Sequence, residues 1–297
     1  MREPLPPRPR PKTPLLGLGL GFGGVVIFGA TLPVTRLALQ GFDPAFLTVA
    51  RALLASLAAA CVLVALRRPY PKADTGSLLI IGATLVFGFP GLVTVAMQTV
   101  PASHGGIVLG VLPLLTAVFA ALIGGERPGP AFWAWGLLGA GLVLGFTLRG
   151  GGFSAQIGHL WLGLAAVVSA LGYVVSGKLS RRMPGWEVIC WALVLTAPLT
   201  GLGVVWTAAT GIHGPDASAV LALTYLAFGS MFAGFFFWNA GLALGGIARV
   251  GQVQLLQTFV TLGLSALLLG EEITPVMLIF AGAVAWAVWM GRKARIG

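Results

Sequence analysis

The stretch PASHGGIVLGVLPLLTAVFAALIGGERP, residues 101–128, determines the architecture predicted for this 297-residue chain. It is apolar for about twenty residues, the length of a membrane-spanning helix, and Pro113 interrupts it near its centre. A related stretch, GIARVGQVQLLQTFVTLGLSALLLGEEI, follows at residues 246–273. Aligning the two stretches pairs Gly106 with Gly251, Glu126 with Glu271, and Pro113 with Thr258. A broken apolar helix that recurs in both halves of a chain indicates a transporter with a central site.

The composition places the chain in a membrane. The chain is 57% hydrophobic and 9% charged, with a mean hydropathy of +0.96, whereas an ordinary soluble domain has about 25% charged residues. Because so much apolar surface needs lipid around it, we expect an all-α polytopic membrane protein embedded in the bilayer. The net charge of +10 is then a topology signal, and we expect no nucleic-acid partner.

Ten apolar windows follow one another along the chain, and each is a predicted membrane span. Spans 1 to 5 form a first repeat at 15–149, and spans 6 to 10 form a second repeat at 158–291, with a connection at 150–157. A disordered basic tail is predicted at 1–14 and a shorter basic tail at 292–297. Five is an odd number, so the two repeats are predicted to be inverted copies. The predicted spans are 15–36, 44–66, 77–98, 104–124, 130–148, 158–177, 186–208, 218–239, 249–269 and 275–291.

The distribution of Lys and Arg predicts the orientation. With the N-terminus inside, the inner segments carry fifteen of these residues, and the outer segments carry two, Arg36 and Arg149. This excess predicts that both termini are cytoplasmic and that the connection at 150–157 is periplasmic.

Local signals predict several helix ends and close contacts. Asp43-Pro44 and Thr274-Pro275 each place a capping oxygen before a proline in the first helical turn. Glu126 and Glu271 are each predicted to cap the helix that follows. Glycines four residues apart allow helices to approach closely in lipid; examples are Gly17/Gly21, Gly106/Gly110, Gly141/Gly145 and Gly241/Gly245.

The sequence lacks the motifs of common enzymes and ATP-driven pumps. It contains no GxxxxGK[ST] phosphate loop and no HExxH zinc motif. Cys61 and Cys190 lie in apolar runs without metal-ligand spacing, so we expect them to be reduced. We therefore expect no catalytic residue, no cofactor and no metal.

Arg51 is the one charged residue well inside a predicted span. A charge at the centre of a helix costs about 2.5–3.5 kcal/mol on insertion scales, so it needs a polar environment. Two interpretations are open. Arg51 contacts a carboxylate or phosphate of a substrate, or it extends to the outer headgroups and the carbonyls near Asp43.

Uncharged polar and aromatic residues in the spans predict a substrate cavity. An amide or hydroxyl in hydrocarbon needs a partner, so these side chains lie either on a cavity or between helices that they join. The predicted substrate-binding residues are Thr31, Thr35, Thr94, Gln98, Tyr173, Trp238, Gln254, Gln257 and Thr258. The predicted gating residues are Gly106, Pro113 and Gly251. Because Thr258 replaces the proline in the second copy, we expect the two gate helices to differ.

The motifs PAFLTVARALLA at 44–55, GVLPLLTAVFAALIGGERP at 110–128 and LLLGEEIT at 267–274 resemble EamA-type carriers of the drug/metabolite transporter superfamily. The resemblance covers essentially the whole chain. Within the superfamily, the chain is most similar to YddG-type exporters of aromatic amino acids. It implies a bacterial inner-membrane carrier whose cavity is lined by the first, third and fourth helices of each half. Arg51, Pro113, Glu126 and Glu271 match the family pattern, whereas Thr258 stands where a proline is usual.

We therefore predict a secondary transporter that exports small amphipathic solutes, first aromatic or other neutral amino acids, by alternating access. We expect it to act as a monomer on a small-molecule substrate. Two alternatives are a carrier for other drugs or metabolites and a flippase for lipid-linked carriers, since basic inner loops also bind anionic headgroups. A channel is disfavoured because no ring of charge lines the spans.

Overall fold

A computed structural model describes residues 14–124, 129–149, 153–245, 250 and 253–293. Within these residues the chain is helical, apart from connections that include an isolated antiparallel bridge between Phe42 and Ile212. The α-helices, numbered in chain order, are α1 Pro14–Gly29, α2 Thr31–Ala38, α3 Pro44–Ala65, α4 Thr75–Ile81, α5 Phe89–Ala96, α6 Ala102–Leu109, α7 Leu112–Gly124, α8 Pro130–Arg149, α9 Phe153–Leu179, α10 Gly185–Gly211, α11 Ala217–Thr224, α12 Gly234–Gly245, α13 Leu256–Leu269 and α14 Pro275–Lys293.

These helices form ten apolar segments in the described residues, and each segment overlaps one predicted span. Seven of the segments are long and apolar enough to cross a membrane. The other three, in spans 5, 9 and 10, are the shorter apolar helices Trp133–Phe146, Leu256–Leu269 and Pro275–Gly291. The prediction of an all-helical, multi-pass membrane protein is confirmed, and the division into two inverted five-span repeats stays a prediction.

Spans 3 and 8 each contain a π-helical segment. Gly82–Gly88 lies between α4 and α5, and Tyr225–Ala233 lies between α11 and α12. Such wide turns are rare and frequently occur at functional sites. Both lie in the third span of their half of the chain, and the sequence patterns did not predict either.

Span 4 is broken between α6 and α7, at Gly110–Val111. The Gly110 amide donates to the carbonyl of Ile107 at 3.0 Å, so the break precedes Pro113. Pro113 lies in the first turn of α7, where its missing N–H is not needed for a helical bond. The break thus lies just before Pro113, where a proline is expected to end the preceding helix.

Span 9 is also broken, at Gln254–Leu255, although it contains no proline. Both gate helices are therefore broken, one directly before a proline and the other without one, and a functional difference between them stays a prediction. A contact between the spans compensates for the break in span 4. The carbonyl of Gly106 lacks its helical donor Gly110 and accepts the hydroxyl of Thr258 at 3.1 Å.

The helices of the first half, residues 14–149, pack mainly on helices of the second half, residues 153–293. Pairs that pack across the two halves include α1 with α12, α3 with α10, α5 with α9, α6 with α13 and α8 with α14. In terms of spans, these pairs are 1 with 8, 2 with 7, 3 with 6, 4 with 9 and 5 with 10. The main hydrophobic core therefore contains residues of both halves.

Glycines allow the closest of these contacts. A Cβ atom built at Gly241 in α12 would lie 2.7 Å from the amide nitrogen of Gly21 and 3.0 Å from the carbonyl oxygen of Gly17, both in α1. The predicted pairs Gly17/Gly21 and Gly241/Gly245 thus pack against each other. A Cβ at Gly141 or Gly145 meets no atom within 4 Å, so the predicted packing role of that pair is wrong.

Charged side chains pair across the two halves at both ends of the bundle. At the end formed by residues 66–74 and 180–184, termed the basic end, Arg68 Nε lies 3.0 Å from Glu187 Oε1 and Arg182 Nη1 lies 3.6 Å from Asp74 Oδ1. At the opposite end, formed by residues 39–43, 97–101, 212–216 and 270–274 and termed the vestibule end, His213 Nε2 lies 3.0 Å from Asp43 Oδ1.

Two capping predictions have different outcomes. Thr274 Oγ1 accepts the amide of Met277 at 3.3 Å, which confirms the cap of α14. Asp43 makes no capping bond with its side chain, because its carboxylate pairs with His213 in the other half. The proline that follows Asp43 still starts α3 in its first turn.

Glu271 caps a different helix from the predicted one. Its two carboxylate oxygens accept the amides of Ala102 and Ser103, each at 2.8 Å, at the start of α6. These amides have no partner within their own helix, and the positive end of the helix dipole favours the carboxylate. The target was missed because it lies in the other half of the chain. Glu126 lies outside the described residues.

Two helices extend past the boundaries predicted for the repeats. Among the described residues, helix α9 begins at Phe153, inside the predicted connection 150–157. Helix α14 extends to Lys293, into the predicted tail 292–297. Residues 1–13, 150–152 and 294–297 lie outside the described residues, as does the predicted gating residue Gly251.

Replacing Gly241 with alanine is expected to lower stability by about 1–3 kcal/mol, because the added Cβ would overpack the α1–α12 contact. Gly141→Ala is the matched control: it is also a helical glycine, but its Cβ would enter open space. Thermal unfolding in detergent should give a lower Tm for Gly241→Ala than for Gly141→Ala. Equal Tm values for the two variants would contradict the close contact.

Candidate functional site

The candidate site is a cavity around Arg51, termed the Arg51 cavity, with about 370 Å³ of empty space including its opening. Both halves of the chain line it. Its lining residues are Phe28, Thr31, Arg51, Leu85, Phe89 and Pro90 from the first half, and Tyr173, Ser230, Met231, Phe235 and Gln257 from the second. Mixed polar and aromatic linings of this kind are typical of small-molecule sites.

Arg51 is buried inside the bundle, seven residues after the first residue of α3, and its side chain is 2% exposed. This burial rules out the interpretation in which Arg51 extends to the headgroups. Its Nη2 donates to the hydroxyl of Ser230 at 3.4 Å, while Nε and Nη1 are buried without an acceptor. None of the described residues that line the cavity is acidic, so the guanidinium has unused donors and an uncompensated charge.

A pair of hydroxyl groups joins the two halves beside Arg51. Thr31 Oγ1 lies 2.8 Å from Ser230 Oγ, and both residues line the cavity. Ser230 belongs to the π-helical segment of span 8, which places its hydroxyl between Thr31 and Arg51. Sequence reasoning missed Ser230. A hydroxyl within the apolar run of span 8 was the available signal, but many span residues share that property.

Three buried threonines lie between the Arg51 cavity and the vestibule end, and we term them the threonine layer: Thr35, Thr48 and Thr94. Thr48 Oγ1 lies 2.9 Å from Thr94 Oγ1, and Thr35 donates to the carbonyl of Thr31 at 2.6 Å. Thr35 and Thr94, predicted to bind substrate, are therefore engaged in helix-to-helix or local bonds and do not line the cavity.

A larger opening, the vestibule, lies beyond the threonine layer and contains about 940 Å³ of empty space including its mouth. Gln98, another predicted binding residue, lines it and is exposed. The lining residues are Arg36, Leu39, Gln40, Phe42, Asp43, Pro44, Met97, Gln98, Leu269 and Glu271. Gln98 lies one helical turn beyond Thr94 in span 3. It therefore faces the vestibule and not the Arg51 cavity.

A third opening, the Gln254 cavity, adjoins the break in span 9 and has about 220 Å³ of empty space. It is lined by Gly106, Leu109, Gln254, Gln257, Thr258 and Thr261. Gln257 lines both this cavity and the Arg51 cavity. The structure therefore brings three predicted binding residues of span 9 together around the break, and Gln257 connects them to Arg51.

Aromatic rings form one side of the Arg51 cavity. Phe28 and Phe235 have ring centroids 5.1 Å apart, and Tyr173 lies 6.3 Å from Phe235. Trp238, a predicted binding residue, is 2% exposed and does not line the cavity. Its ring packs 5.7 Å from Tyr173 and 6.2 Å from Phe28, which supports the rings that face the cavity.

The described residues offer no site for a metal, because no group of three His, Cys, Asp or Glu side chains among them could hold an ion. The gating residue Gly106 contacts span 9, where a Cβ would lie 2.9 Å from Thr261 Cγ2. Pro113 lies one turn beyond the break and outside all three openings.

Comparison with known proteins gives consistent results. The sequence model of the EamA-like transporter family matches twice, at residues 15–148 and 156–290. The chain is 44% identical over 278 residues to the uncharacterized transporter YdeK of Bacillus subtilis, covering 92% of this chain and 95% of that protein. It is 30% identical over 209 residues to the aromatic amino acid exporter YddG of Ancylobacter novellus, covering 67% and 68% of the two chains.

A solved crystal structure shares the fold, with a TM-score of 0.64 and 22% identity over 93% of this chain and 97% of the other. The two family matches together span nearly the whole sequence, and the helices that they cover are those that surround the Arg51 cavity. The chain is a multi-pass membrane protein that belongs to the EamA-like transporter family.

Proposed function

We propose that the protein is a secondary transporter of the bacterial inner membrane that exports small amphipathic solutes, first aromatic or other neutral amino acids and related metabolites. The observation that carries the proposal is the Arg51 cavity, where polar and aromatic side chains of both halves converge. The similarity to an exporter of aromatic amino acids supports this substrate class.

We infer that the two halves are inverted copies related by an approximate two-fold axis. Such an axis exchanges span 1 with 6, 2 with 7, 3 with 8, 4 with 9 and 5 with 10. The packing pairs 1 with 8 and 3 with 6 are then equivalent, and the pairs 2 with 7, 4 with 9 and 5 with 10 map onto themselves. The π-helical segments in spans 3 and 8 and the breaks in spans 4 and 9 support the same relation.

The excess of Lys and Arg on one side supports a cytoplasmic location for the basic end and for both termini. The vestibule then opens to the periplasm, and the threonine layer separates it from the Arg51 cavity. Export by alternating access requires the basic end to open for loading and the vestibule end to open for release. The irregular backbone of spans 3, 4, 8 and 9 supplies places at which these helices can bend.

The flippase alternative is less well supported by the basic end. Arg68 and Arg182 pair with Glu187 and Asp74, and Lys178 Nζ donates to the carbonyl of Ile123 at 3.1 Å. These cations are used in contacts within the chain, so a lipid headgroup would have to displace them.

Proteoliposomes loaded with unlabelled L-phenylalanine should accumulate radiolabelled L-phenylalanine by counterflow, because a carrier exchanges solute across its cavity. Unlabelled neutral amino acids should compete with the label, whereas uridine and a lipophilic cation should not. Protein-free liposomes are the control. The proposal fails if purified protein catalyses no counterflow of any amino acid or related metabolite.

A cross-link across the basic end should stop this counterflow, since Arg68 and Glu187 must separate when the cavity opens to the cytoplasm. The test uses Arg68→Cys with Glu187→Cys in a Cys61→Ala, Cys190→Ala background and a cleavable bis-methanethiosulfonate reagent. Reductant should restore transport. The control pair is Tyr70→Cys with Thr75→Cys, whose hydroxyls lie 2.7 Å apart within one half, and its cross-link should leave transport intact. Full transport by the cross-linked Arg68/Glu187 pair would contradict alternating access at this end.

A further inference from the structure

We propose that the Arg51 cavity recognises the zwitterion of an α-amino acid at two points, with its carboxylate on Arg51 and its ammonium group on the side-chain oxygen of Gln257. This inference rests on the proposed transport of amino acids and assigns the two contacts that select them. It follows from two unsatisfied groups of opposite polarity that line the same cavity.

The Arg51 guanidinium supplies the donors. Nε and Nη1 are buried without an acceptor, and the contact of Nη2 with Ser230 is long at 3.4 Å. A buried charge that lacks a partner is strongly unfavourable, and an arginine fork fits a carboxylate with two parallel hydrogen bonds. Ser230 and Thr31 add hydroxyls beside the same point, so a bound carboxylate would compensate the charge of Arg51.

Gln257 supplies the acceptor from the opposite half of the chain. Its Oε1 atom is inaccessible to solvent and accepts no hydrogen bond. An amide oxygen is an acceptor for ammonium N–H groups, and a buried acceptor without a donor is costly. Because Gln257 is neutral and the zwitterion has no net charge, the occupied cavity keeps the single positive charge that Arg51 gives it, with the carboxylate paired to Arg51 and the ammonium group held by the Gln257 oxygen.

The aromatic rings fit the remainder of such a solute. Phe28, Tyr173 and Phe235 line the same cavity as Arg51 and Gln257, and ring faces also attract an ammonium group. An aromatic or aliphatic side chain would pack on these rings. A solute without a carboxylate would leave Arg51 unpaired, and one without an ammonium group would leave Gln257 unpaired.

The test is competition for binding of radiolabelled L-phenylalanine to the purified full-length protein in nanodiscs. Two analogues each lack one group: phenethylamine has no carboxylate, and 3-phenylpropionate has no ammonium group. Each analogue should have an inhibition constant about tenfold higher than that of L-phenylalanine, or higher still. This increase corresponds to the loss of one favourable charged contact. Wild-type protein that binds phenethylamine as tightly as L-phenylalanine would overturn the assignment of Arg51.

Three variants separate the two contacts. Arg51→Gln should weaken L-phenylalanine binding until L-phenylalanine and phenethylamine bind with equal affinity. Gln257→Leu should weaken it until L-phenylalanine and 3-phenylpropionate bind with equal affinity. Gln40→Leu is the matched amide control, because Gln40 lines the vestibule and not the Arg51 cavity, and it should preserve the ranking. Arg51→Lys keeps the charge and should retain the preference for a carboxylate, which gives a readout if Arg51→Gln unfolds.

The outcomes distinguish the two proposals. If no amino acid is bound or exchanged, the proposed function fails and this inference fails with it. If L-phenylalanine is exchanged but the ranking of the analogues is the same in wild type, Arg51→Gln and Gln257→Leu, the inference alone is overturned.

Discussion

The Arg51 guanidinium is buried in an apolar helical bundle with no carboxylate among the described residues that line its cavity, and this arrangement constrains the structure around it. A charge at membrane depth is tolerated where it faces polar groups or a cavity rather than lipid. Arg51 reaches Ser230 only because spans 2 and 8 lie in contact, and Thr31 of span 1 completes the group. The two halves must therefore stay closely packed at this level. The glycines of α1 and α12 permit that approach.

Irregular backbone in the spans depends on the same contact between halves. Hydrocarbon offers no hydrogen bonds, so any carbonyl released by a break or a proline needs a partner inside the protein. Pro33 lacks the N–H that would bond Gly29, and the Thr261 hydroxyl donates to the Gly29 carbonyl at 2.8 Å. Tyr225 likewise donates to the carbonyl of Ile27 at 2.8 Å. Each partner comes from the opposite half, so the breaks that allow bending also bind the halves together.

The spans and the unusual charge could be predicted from the sequence because hydropathy and the rarity of an intramembrane arginine are local properties. Gly17/Gly21 and Gly241/Gly245 were recognisable by spacing, although the same spacing at Gly141/Gly145 has no packing role. The role of Ser230 could not be predicted, because it depends on a π-helical turn and on which span faces Arg51. Glu271 was identified as a cap, but its target α6 is set by the packing of spans 4 and 10 around the vestibule end. Long-range partners of this kind leave no periodic signal in the sequence.

The central claim is that Arg51 holds the carboxylate of the transported solute inside a cavity shared by both halves. A crystal structure with L-4-bromophenylalanine tests it most directly, because the anomalous signal of bromine locates the ligand independently of the protein. Bromine is expected beside the rings of Tyr173 and Phe235, with the ligand carboxylate within hydrogen-bonding distance of Arg51. Bromine in the vestibule near Gln98, with Arg51 bonded to Ser230 alone, would contradict it.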